Sequence, residues 1–440
     1  MSALWERAVE KFNSRQARVG VLGLGYAGLP LTCCFAEAGF ETFGFDVDQA
    51  KIERLLAGQS YIGHIPADRI ARLVRGGQLR PSAEFSPLRD CDAAIICVPT
   101  PLGEGRTPDL TYVLNTARAV AEHLHPGQLV VLESTTYPGT TDEVMLPLFE
   151  SSGLKVGEDY FVAFSPERED PANADFSTRT IPKIVGGVTA RCGAVAAAAY
   201  AALVERVVPV SSARVAEAAK LLENIYRCVN IAMINELKLL FERMDIDVWE
   251  VIRASATKPF GFTPFYPGPG LGGHCIPVDP FYLTWKARQY DFSTRFIELA
   301  GEINSGMPQH VVDRLTEGLN LLGKALNGAR ILLVGAAYKR NVEDVRESPT
   351  IRIIQLLHER LAQVSYYDPY VPRLETRHLE HALCSVQLSP EVLEASDAVV
   401  IVTDHSNIDY ELILRHAKLV VDTRNATARW RKPTHRVIMA

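Results

Sequence analysis

Cys275 is the residue of this sequence best suited to covalent chemistry. It lies in a glycine-rich stretch, GPGLGGHCIPVD, that runs from Gly268 to Asp279. A lone cysteine is often only a small buried hydrophobic residue. Here glycines on one side and Asp279 on the other predict an accessible, polar loop, in which a thiol could act as a nucleophile. The neighbouring His274 could lower the pKa of this thiol or could be a structural residue of the loop, and the sequence leaves both interpretations open.

Lys220 and Asn224 could act on one reacting group. In a helix their four-residue spacing places them on the same face, about 40° apart, although a solvated helix face is the ordinary explanation of such a pair. Two further polar groups, Glu133-Ser134-Thr135 and Ser165-Pro166-Glu167, each end an apolar, strand-like run. The carboxyl ends of parallel strands are where such sheets bind ligands, but these residues could instead cap the helices that follow.

A GxGxxG motif covers residues 23–28, from Gly23 to Gly28, and reads Gly-Leu-Gly-Tyr-Ala-Gly. It follows an apolar run, and Asp46 ends the next run, 21 residues after Gly25. In this context the glycines allow a tight turn and a close approach of pyrophosphate to a helix N-terminus, while Asp46 can accept hydrogen bonds from a ribose 2′-hydroxyl. The motif therefore predicts a site for NAD rather than NADP. The alternative is a nucleotide fold with a merely structural turn.

The elements that must position these residues alternate between buried strands and helices. This alternation predicts parallel sheets covered on both faces. Strands are predicted in the first part of the chain over 17–25, 41–48, 92–99, 128–135 and 160–166, and in the last part over 329–338, 364–369, 397–405 and 419–425.

One long amphipathic helix is predicted between these two parts, from Ser211 to Met244, because apolar residues recur there at three- and four-residue steps without Pro or Gly. We expect it to link two domains and to offer a dimer surface. The predicted fold is α/β, with two Rossmann-like parallel-sheet domains, 1–205 and 311–440, joined by a central helical domain, 206–310. The second α/β part begins Leu-Val-Gly-Ala-Ala at Leu333. It lacks two of the three glycines and is therefore predicted to be a weak dinucleotide site.

Composition excludes several classes of protein. The chain has 440 residues with 47% hydrophobic and 22% charged residues, which is typical of a globular protein. A net charge of −6 without a basic block argues against nucleic-acid binding. The longest apolar run, residues 192–204, is too short for a membrane span, so we expect a buried helix there. The 8 cysteines form no CxxC pair, which favours reduced thiols in the cytoplasm over a disulfide framework or a metal site.

The motifs taken together resemble the UDP-glucose/GDP-mannose dehydrogenase family essentially end to end. The segments that carry the resemblance are GLGYAGLP, FDVD, CVPTP, ESTTYPGTT, FSPER, EAAKLLENIYRCVNIAMINEL, GPGLGGHCIPVDP and AAYKRNVEDVRESP. His274 before the cysteine and Pro277-Val278-Asp279 after it are most similar to the UDP-N-acetylhexosamine branch, which serves bacterial polysaccharide biosynthesis. The family's second loop glutamate falls on Pro171, so that contact does not carry over.

The resemblance implies a four-electron oxidation of the C6 alcohol of a UDP-sugar to a carboxylate with two NAD, through a thioester on Cys275. Lys220 would act as the base, through a water held by Asp279, and with Asn224 would stabilise the oxyanion. Glu167, with Thr135 nearby, would activate the water that hydrolyses the thioester. The family's cofactor contacts carry over onto Gly23, Leu24, Gly25, Tyr26, Ala27, Gly28, Asp46, Lys51, Pro99, Thr100, Ser134, Thr135 and Arg346. Its substrate contacts carry over onto Glu167, Arg168, Lys220, Asn224, Tyr266, Gly270, Gly272, Tyr338, Lys339 and Arg424.

Other functions remain as alternatives. A two-electron NAD dehydrogenase acting on a hydroxyacid shares the Rossmann half and a helix lysine, but it needs no cysteine. A non-catalytic NAD-sensing protein would be expected to lack Cys275, Lys220 or Asp279, and all three are present. The expected substrate is UDP-N-acetylglucosamine, with the mannosamine, galactosamine and glucose analogues following in roughly that order. The expected partners are the UDP-sugar and a second copy of the chain, without nucleic acid or membrane.

Overall fold

The computed structural model describes residues 3–63, 65–168, 177–273 and 276–440. The chain forms two compact units, one made of residues 1–223 and 281–292 and the other of 224–280 and 293–440. The predicted division at 205 and 310 into three domains stays a prediction, because the long central helix contributes residues to both units. No helix among the described residues is long and apolar enough to cross a membrane.

The first unit is built on a largely parallel sheet. Its strands lie in the order β3-β2-β1-β4-β5-β6-β7-β8, and among neighbouring pairs only β6 and β7 run antiparallel in the described part of the chain. The first six strands have the order of a dinucleotide-binding Rossmann sheet. The strands are β1 Arg18–Leu22, β2 Glu41–Phe45, β3 Leu79–Ser82, β4 Ala93–Ile96, β5 Leu129–Leu132, β6 Phe161–Phe164, β7 Lys183–Gly187 and β8 Val207–Val210.

Helices cover both faces of this sheet. Val19 and Val21 of β1 pack with Phe35 on one face, and Leu22 packs with Val113 on the other. The helices are α1 Leu4–Asn13, α2 Gly28–Glu37, α3 Gln49–Leu56, α4 Ala67–Arg75, α5 Thr111–Ala121 and α6 Ala190–Ala201. Short helical turns cover Ser86–Asp90, Glu104–Arg106, Thr140–Met145, Leu146–Ser152 and Arg288–Tyr290.

The predicted buried helix at residues 192–204 is confirmed by α6, which packs against the sheet. Each of the five strands predicted in this part contains an observed strand, but β3, β7 and β8 escaped prediction. β3 and β8 are half-exposed edge strands that contain Pro81 and Pro209, and proline is tolerated at edges because no ladder hydrogen bond is needed from its nitrogen. β7 ends in two glycines, which weaken the strand signal.

The long helix α7, Ala213–Arg243, confirms the predicted central helix. It is followed by α8, Val248–Ser255, and by α9, Asp279–Ala287. Several large apolar residues of α7 are exposed, among them Leu222, Met233 and Leu240, while its buried side combines apolar residues such as Leu221 and Ile234 with five polar ones. Buried polar residues on α7 are Glu217, Lys220, Asn224, Asn235 and Lys238.

The second unit contains a smaller parallel sheet. Its strands lie in the order β10-β9-β13-β14-β15 and carry helices on their faces, with a short antiparallel pair, β11 and β12, beside them. The predicted α/β class with two parallel sheets and a central helical region is therefore confirmed. The elements are α10 Arg295–Leu321, β9 Arg330–Val334, α11 Pro349–Glu359, β10 Gln363–Tyr367, β11 Arg373–Leu374, β12 Leu383–Cys384, α12 Pro390–Ala395, β13 Ala398–Ile401, α13 Tyr410–His416, β14 Val420–Asp422 and β15 Val437–Met439.

Candidate active site

The glycine-rich turn lies between the end of β1 and the start of α2. A side chain at Gly28 would be impossible, because its Cβ would lie 1.8 Å from the backbone oxygen of Gly23. Gly25 differs, since a Cβ there would point into open space with no described atom within 4 Å. The turn therefore leaves its outer side clear for a ligand at the N-terminus of α2, which fits the pyrophosphate of a dinucleotide.

Asp46 lies beside this turn, as the motif predicted. One carboxylate oxygen accepts a hydrogen bond from the backbone N–H of Leu24 at 2.9 Å and pairs with Lys51 Nζ at 3.1 Å. The other accepts the N–H of Asp48 at 3.0 Å. These bonds hold the carboxylate at the end of β2, where the adenosine ribose of a dinucleotide lies in this fold.

Ser134 links the ends of two neighbouring strands. Its hydroxyl accepts the N–H of Val98 at 2.9 Å and donates to the carbonyl of Val98 at 2.7 Å. The predicted cofactor contacts Pro99 and Thr100 follow directly, and the carbonyl of Thr100 accepts the Tyr282 hydroxyl at 2.7 Å. The structure thus gives Ser134 a bracing role, while Thr135 beside it is half-buried.

Glu133, which precedes them, is a structural residue. It is buried, and its carboxylate pairs with Lys183 at 2.8 Å and accepts the Tyr200 hydroxyl. Burial, together with Glu133, raises the pKa of Tyr200 well above its usual value. Of the polar residues at the end of β5, Glu133 therefore forms a buried ion pair, whereas Thr135 is more accessible.

Lys220 meets the loop that follows β6. Its ammonium donates to the backbone carbonyl of Glu167 at 2.5 Å, and the side chain is 7% exposed. The next residue of that loop, Arg168, pairs with Glu223 of α7 at 2.7 Å and donates to the carbonyl of Pro182 at 2.6 Å. Lys220 and Glu167, 53 residues apart in sequence, are therefore brought together. Arg168 was predicted to contact substrate and here anchors the loop.

Asn224 follows one helical turn after Lys220 and is 5% exposed. Its amide donates to Oδ2 of Asp279 at 2.5 Å, and Asp279 is buried as well. The solvated-face interpretation of Lys220 and Asn224 is therefore wrong, because both side chains lie on the buried polar side of α7. Each of the two predicted catalytic residues on α7 therefore contacts another predicted site residue: Lys220 contacts Glu167, and Asn224 contacts Asp279.

The glycine-rich loop approaches the predicted substrate residues of the second unit. A Cβ on Gly272 would lie 2.6 Å from Cβ of Tyr338, and one on Gly268 would lie 2.3 Å from Nη1 of Arg424. Further along, the N–H of Gly273 donates to the carbonyl of Arg346 at 2.9 Å. At Gly272 the conflict is with a Cβ atom next to the backbone, so only a residue without a side chain fits there, whereas at Gly268 it is with the tip of the Arg424 side chain. The predicted nucleophile Cys275, its neighbour His274 and Pro171 lie outside the described residues.

The remaining predicted contacts have defined surroundings. The Tyr266 ring stacks on Trp249, with centroids 5.7 Å apart. Burial, together with Arg340, lowers the pKa of the Arg424 guanidinium to about 10. Lys339 lies in a loop whose next residue, Arg340, pairs with Asp404. The Arg346 side chain pairs with Asp344 at 2.6 Å, and its predicted role as a cofactor contact stays a prediction.

Glu217 is a site residue that sequence reasoning missed. Its buried carboxylate accepts the N–H groups of Gly139 and Thr141 at 2.7 and 2.9 Å and the Thr141 hydroxyl at 2.7 Å. It therefore fixes the segment that follows Thr135, and burial raises the pKa of its carboxyl. The available signal was its spacing, since it lies three residues before Lys220 and on the same side of α7.

A Rossmann sheet whose glycine turn and acidic residue fit NAD, together with a buried lysine that meets the carboxyl end of a strand, defines an NAD-dependent dehydrogenase. Comparison with known proteins specifies the family. Residues 17–204 match the NAD binding domain of the UDP-glucose/GDP-mannose dehydrogenase family, residues 214–306 its central domain and residues 332–429 its UDP binding domain. The chain belongs to this family and is an NAD-dependent oxidoreductase of the nucleotide-sugar dehydrogenase type.

Known proteins similar to this chain align with nearly its whole length. The UDP-N-acetyl-D-glucosamine 6-dehydrogenase of Pseudomonas aeruginosa is 36% identical over 394 residues, which cover 89% of this chain and 91% of that protein. The NDP-N-acetyl-D-galactosaminuronic acid dehydrogenase of Ralstonia solanacearum is 34% identical over 420 residues, 92% and 95% of the two chains. The solved structure of UDP-D-ManNAc dehydrogenase from Pyrococcus horikoshii matches with a TM-score of 0.87 and 33% identity, covering 96% of this chain and 98% of that one.

Proposed function

We propose that the protein oxidises the C6 alcohol of a UDP-N-acetylhexosamine to the uronic acid in a four-electron reaction, with UDP-N-acetylglucosamine as the first candidate. The observation that carries this proposal is the buried polar side of α7, where Lys220 contacts Glu167 and Asn224 contacts Asp279. A two-electron hydroxyacid dehydrogenase shares the helix lysine but needs no cysteine, and Cys275 in its glycine-rich loop argues against it. The names of the three relatives share a 2-acetamido sugar, which supports a hexosamine.

Each predicted catalytic residue would have a separate role in the proposed reaction. Bound NAD would accept one hydride from C6 in each of the two oxidations. Lys220 would remove the hydroxyl proton in the first oxidation, and Asp279 would hold a water on the proton's path. Asn224, already fixed by Asp279, would donate to the oxygen on C6 when that oxygen becomes negative in the second oxidation.

Cys275 would make the second oxidation possible. An aldehyde carries no alkoxide that can expel a hydride, so the thiolate adds to C6, forms a carbon–sulfur bond and leaves an oxyanion on the sugar. Loss of hydride then gives a thioester. Glu167, with Thr135 nearby, would activate a water whose attack breaks the carbon–sulfur bond, releasing the uronate and restoring the thiol.

Two binding regions follow from this assignment. NAD would bind residues 1–205, where the glycine turn and Asp46 meet, and the UDP group would bind residues 311–440. Lys339 and Arg424 bring positive charge to the latter region, and the close approach of Gly268 to Arg424 supports a role beside the substrate loop. The catalytic lysine and the cysteine loop would belong to residues 206–310.

We further propose that the protein forms a homodimer through the exposed α7 face, defined here as Tyr226, Met233, Leu240 and Met244. These side chains are between 46% and 55% exposed although all are large and apolar. Contiguous exposed apolar residues mark interaction surfaces, and a second copy presents the same face, as a twofold interface requires.

The proposed reaction is tested by counting NADH formed per sugar consumed with UDP-N-acetylglucosamine, UDP-N-acetylmannosamine, UDP-N-acetylgalactosamine and UDP-glucose. We expect two NADH per sugar and the highest kcat/KM with a 2-acetamido sugar. One NADH per sugar would indicate a two-electron enzyme, and no turnover of any UDP-sugar would refute the proposal. A Cys275→Ser variant should lose uronate formation, because a hydroxyl is a poor nucleophile at neutral pH.

A further inference from the structure

Two buried asparagines join the glycine-rich loop to the long helices α7 and α10. Nδ2 of Asn235, on α7, donates to Oδ1 of Asn304, on α10, at 2.9 Å, and Oδ1 of Asn235 accepts the N–H of Gly268 at 3.0 Å. Nδ2 of Asn304 then donates to the carbonyl of Cys228 at 3.1 Å. Asn235 and Asn304, the asparagine pair, are 0% and 4% exposed.

The hydrogen bonds of this pair have a fixed direction. Because Asn235 uses its oxygen for the loop, its nitrogen must face Asn304, and Asn304 must turn its own nitrogen to Cys228. An apolar residue at either position would leave a buried donor or acceptor without its partner, which costs more than a surface hydrogen bond would. The register of Gly268 is therefore set by a chain of bonds in which each side chain must both donate and accept.

The loop also packs directly on α10 beside the pair. Gly270 has φ of +126°, and a Cβ there would lie 3.4 Å from both the backbone oxygen of Asn304 and the ring of Pro308. Pro308 has no N–H, so it cannot supply the helical hydrogen bond that the carbonyl of Asn304 would otherwise accept. The Asn235 side chain thus holds the loop at Gly268. At Gly270 the loop packs against α10 where Pro308 leaves the carbonyl of Asn304 without its helical hydrogen bond.

We propose that Asn235 and Asn304 are positioning residues for the reaction, which hold the glycine-rich loop so that the residues beyond it reach the sugar C6 at the correct distance. This inference rests on the proposed function. The loop is anchored at Gly268 by the pair and at Gly273 by Arg346, and Cys275 follows two residues later. The described contacts of the asparagines include neither the predicted base nor its loop after β6, so in the proposal they act through the glycine-rich loop.

The test compares Asn235→Ala and Asn304→Ala with the wild type and with Asn230→Ala. Asn230 is a control on the same helix whose amide donates only to the carbonyl of Tyr226 among the described contacts. We expect at least tenfold lower kcat/KM for the UDP-sugar in both variants, since small misplacements of reacting groups carry losses of this size or more. The KM for NAD should stay within about twofold, and the NADH formed per sugar should fall below two as aldehyde escapes before capture.

Asn304→Asp keeps the test decisive if the alanine variants fold poorly. A protonated aspartic acid can accept from Asn235 and donate to Cys228, as the amide does, but the ionised form cannot donate. The ratio of kcat/KM for Asn304→Asp to kcat/KM for the wild type should therefore be near one at low pH and fall as pH rises. If the wild-type protein oxidises no UDP-sugar, the proposed function is refuted. An active wild type with unchanged kcat/KM in the alanine variants, or with a pH-independent ratio for Asn304→Asp, would overturn the positioning role.

Discussion

The ammonium of Lys220 lies 2.5 Å from the backbone carbonyl oxygen of Glu167, so the predicted base is bonded to the residue predicted to activate water. The bond holds Lys220 at the loop that follows β6. Its position also means that a change at Lys220 affects the chemistry and the loop after β6 together.

We expect Lys220→Met to lower kcat by about 10² to 10⁴, which is the range that general acid–base catalysis contributes. The affinity for NAD should be nearly unchanged, because Asp46 and the glycine turn make no described contact with Lys220. Steady-state and single-turnover measurements of NADH formation check both expectations. Lys155→Met, which removes an exposed lysine of the same unit, is the control, and equal rates in the two variants would contradict a role for Lys220 as base.

Cofactor choice depends on Asp46. Its carboxylate should repel a 2′-phosphate, so we predict at least about a tenfold preference for NAD in kcat/KM, or about 1.4 kcal/mol. Asp46→Ser should reduce this preference, since Lys51 then loses its carboxylate partner and can attract the phosphate. The double variant Asp46→Ser/Lys51→Met should lose that gain. Equal use of NAD and NADP by the wild type would refute the prediction.

The sequence predicted those parts of the site that depend on neighbouring residues. The turn at Gly23 and the acidic residue at Asp46 belong to one strand–turn–helix unit, and the spacing of Lys220 and Asn224 follows from helix geometry alone. Which side of α7 is buried could not be predicted in the same way. Hydrophobicity normally marks the buried side, but here the polar residues of the site share the buried side with Leu221 and Ile234, while large apolar residues such as Met233 and Leu240 are exposed.

Contacts between distant segments also escaped prediction. Asn235 and Asn304 are 69 residues apart, and the partner of a buried amide depends on how two helices cross rather than on local sequence. The edge strands β3 and β8 were missed for a different reason, because Pro81 and Pro209 remove the pattern on which strand prediction depends. The sequence thus predicted most strands of both sheets, but neither the proline-containing edges of the first sheet nor the contacts of the polar interior.

From the burial of Lys238 we predict an unusual dependence of the free energy of unfolding on pH. It is buried on α7, with its Nζ 3.4 Å from Nε2 of His310. Burial, with a smaller contribution from Arg314, lowers the pKa of Lys238 to about 8, although Glu242 opposes the shift. Below pH 8 the folded protein must therefore hold a buried charge, at a cost of up to about 3 kcal/mol at 1.36 kcal/mol per pKa unit.

We expect Lys238→Met to raise the free energy of unfolding at pH 7 by about 1–3 kcal/mol. Between pH 8 and about 10.4 the unfolded chain binds the proton and the folded chain does not, so the wild type gains stability as pH rises and the advantage of the variant shrinks. Urea unfolding at pH 7 and 9.5 checks this, with Lys258→Met as an exposed control. A difference that does not change with pH would contradict it.

The exposed α7 face predicts the oligomeric state. Met233→Asp/Leu240→Asp places two charges within this face and should convert dimer to monomer, because burying an unpaired carboxylate costs several kcal/mol. Light scattering after gel filtration, over a range of concentrations, measures the mass. Leu321→Asp changes an exposed leucine at the end of α10 and should leave the dimer intact. An unchanged mass in the double variant would show that another surface joins the copies.

Lys339 tests the assignment of the UDP group to the second sheet. Strand order reverses between β9 and β13, and ligands of such sheets bind beyond the carboxyl ends of the strands at this switch point. Lys339 lies in the loop after β9, where the N–H of Asn341 donates to Nδ1 of His405 at 2.9 Å and Nε2 of His405 meets Asp368 at 3.0 Å. The loop is therefore held in place, and it carries the Lys339 cation that we propose contacts the diphosphate.

We expect Lys339→Ala to weaken binding of the UDP-sugar about tenfold, or about 1.4 kcal/mol, since a charged hydrogen bond to phosphate contributes an amount of this order. NAD affinity should be nearly unchanged, because the NAD region lies in the first unit. Calorimetric titration of both ligands measures the two affinities, and Lys432→Ala, at an exposed lysine of the same unit, controls for the loss of one positive charge. A comparable loss for NAD, or no loss for the UDP-sugar, would show that the second sheet does not hold the diphosphate.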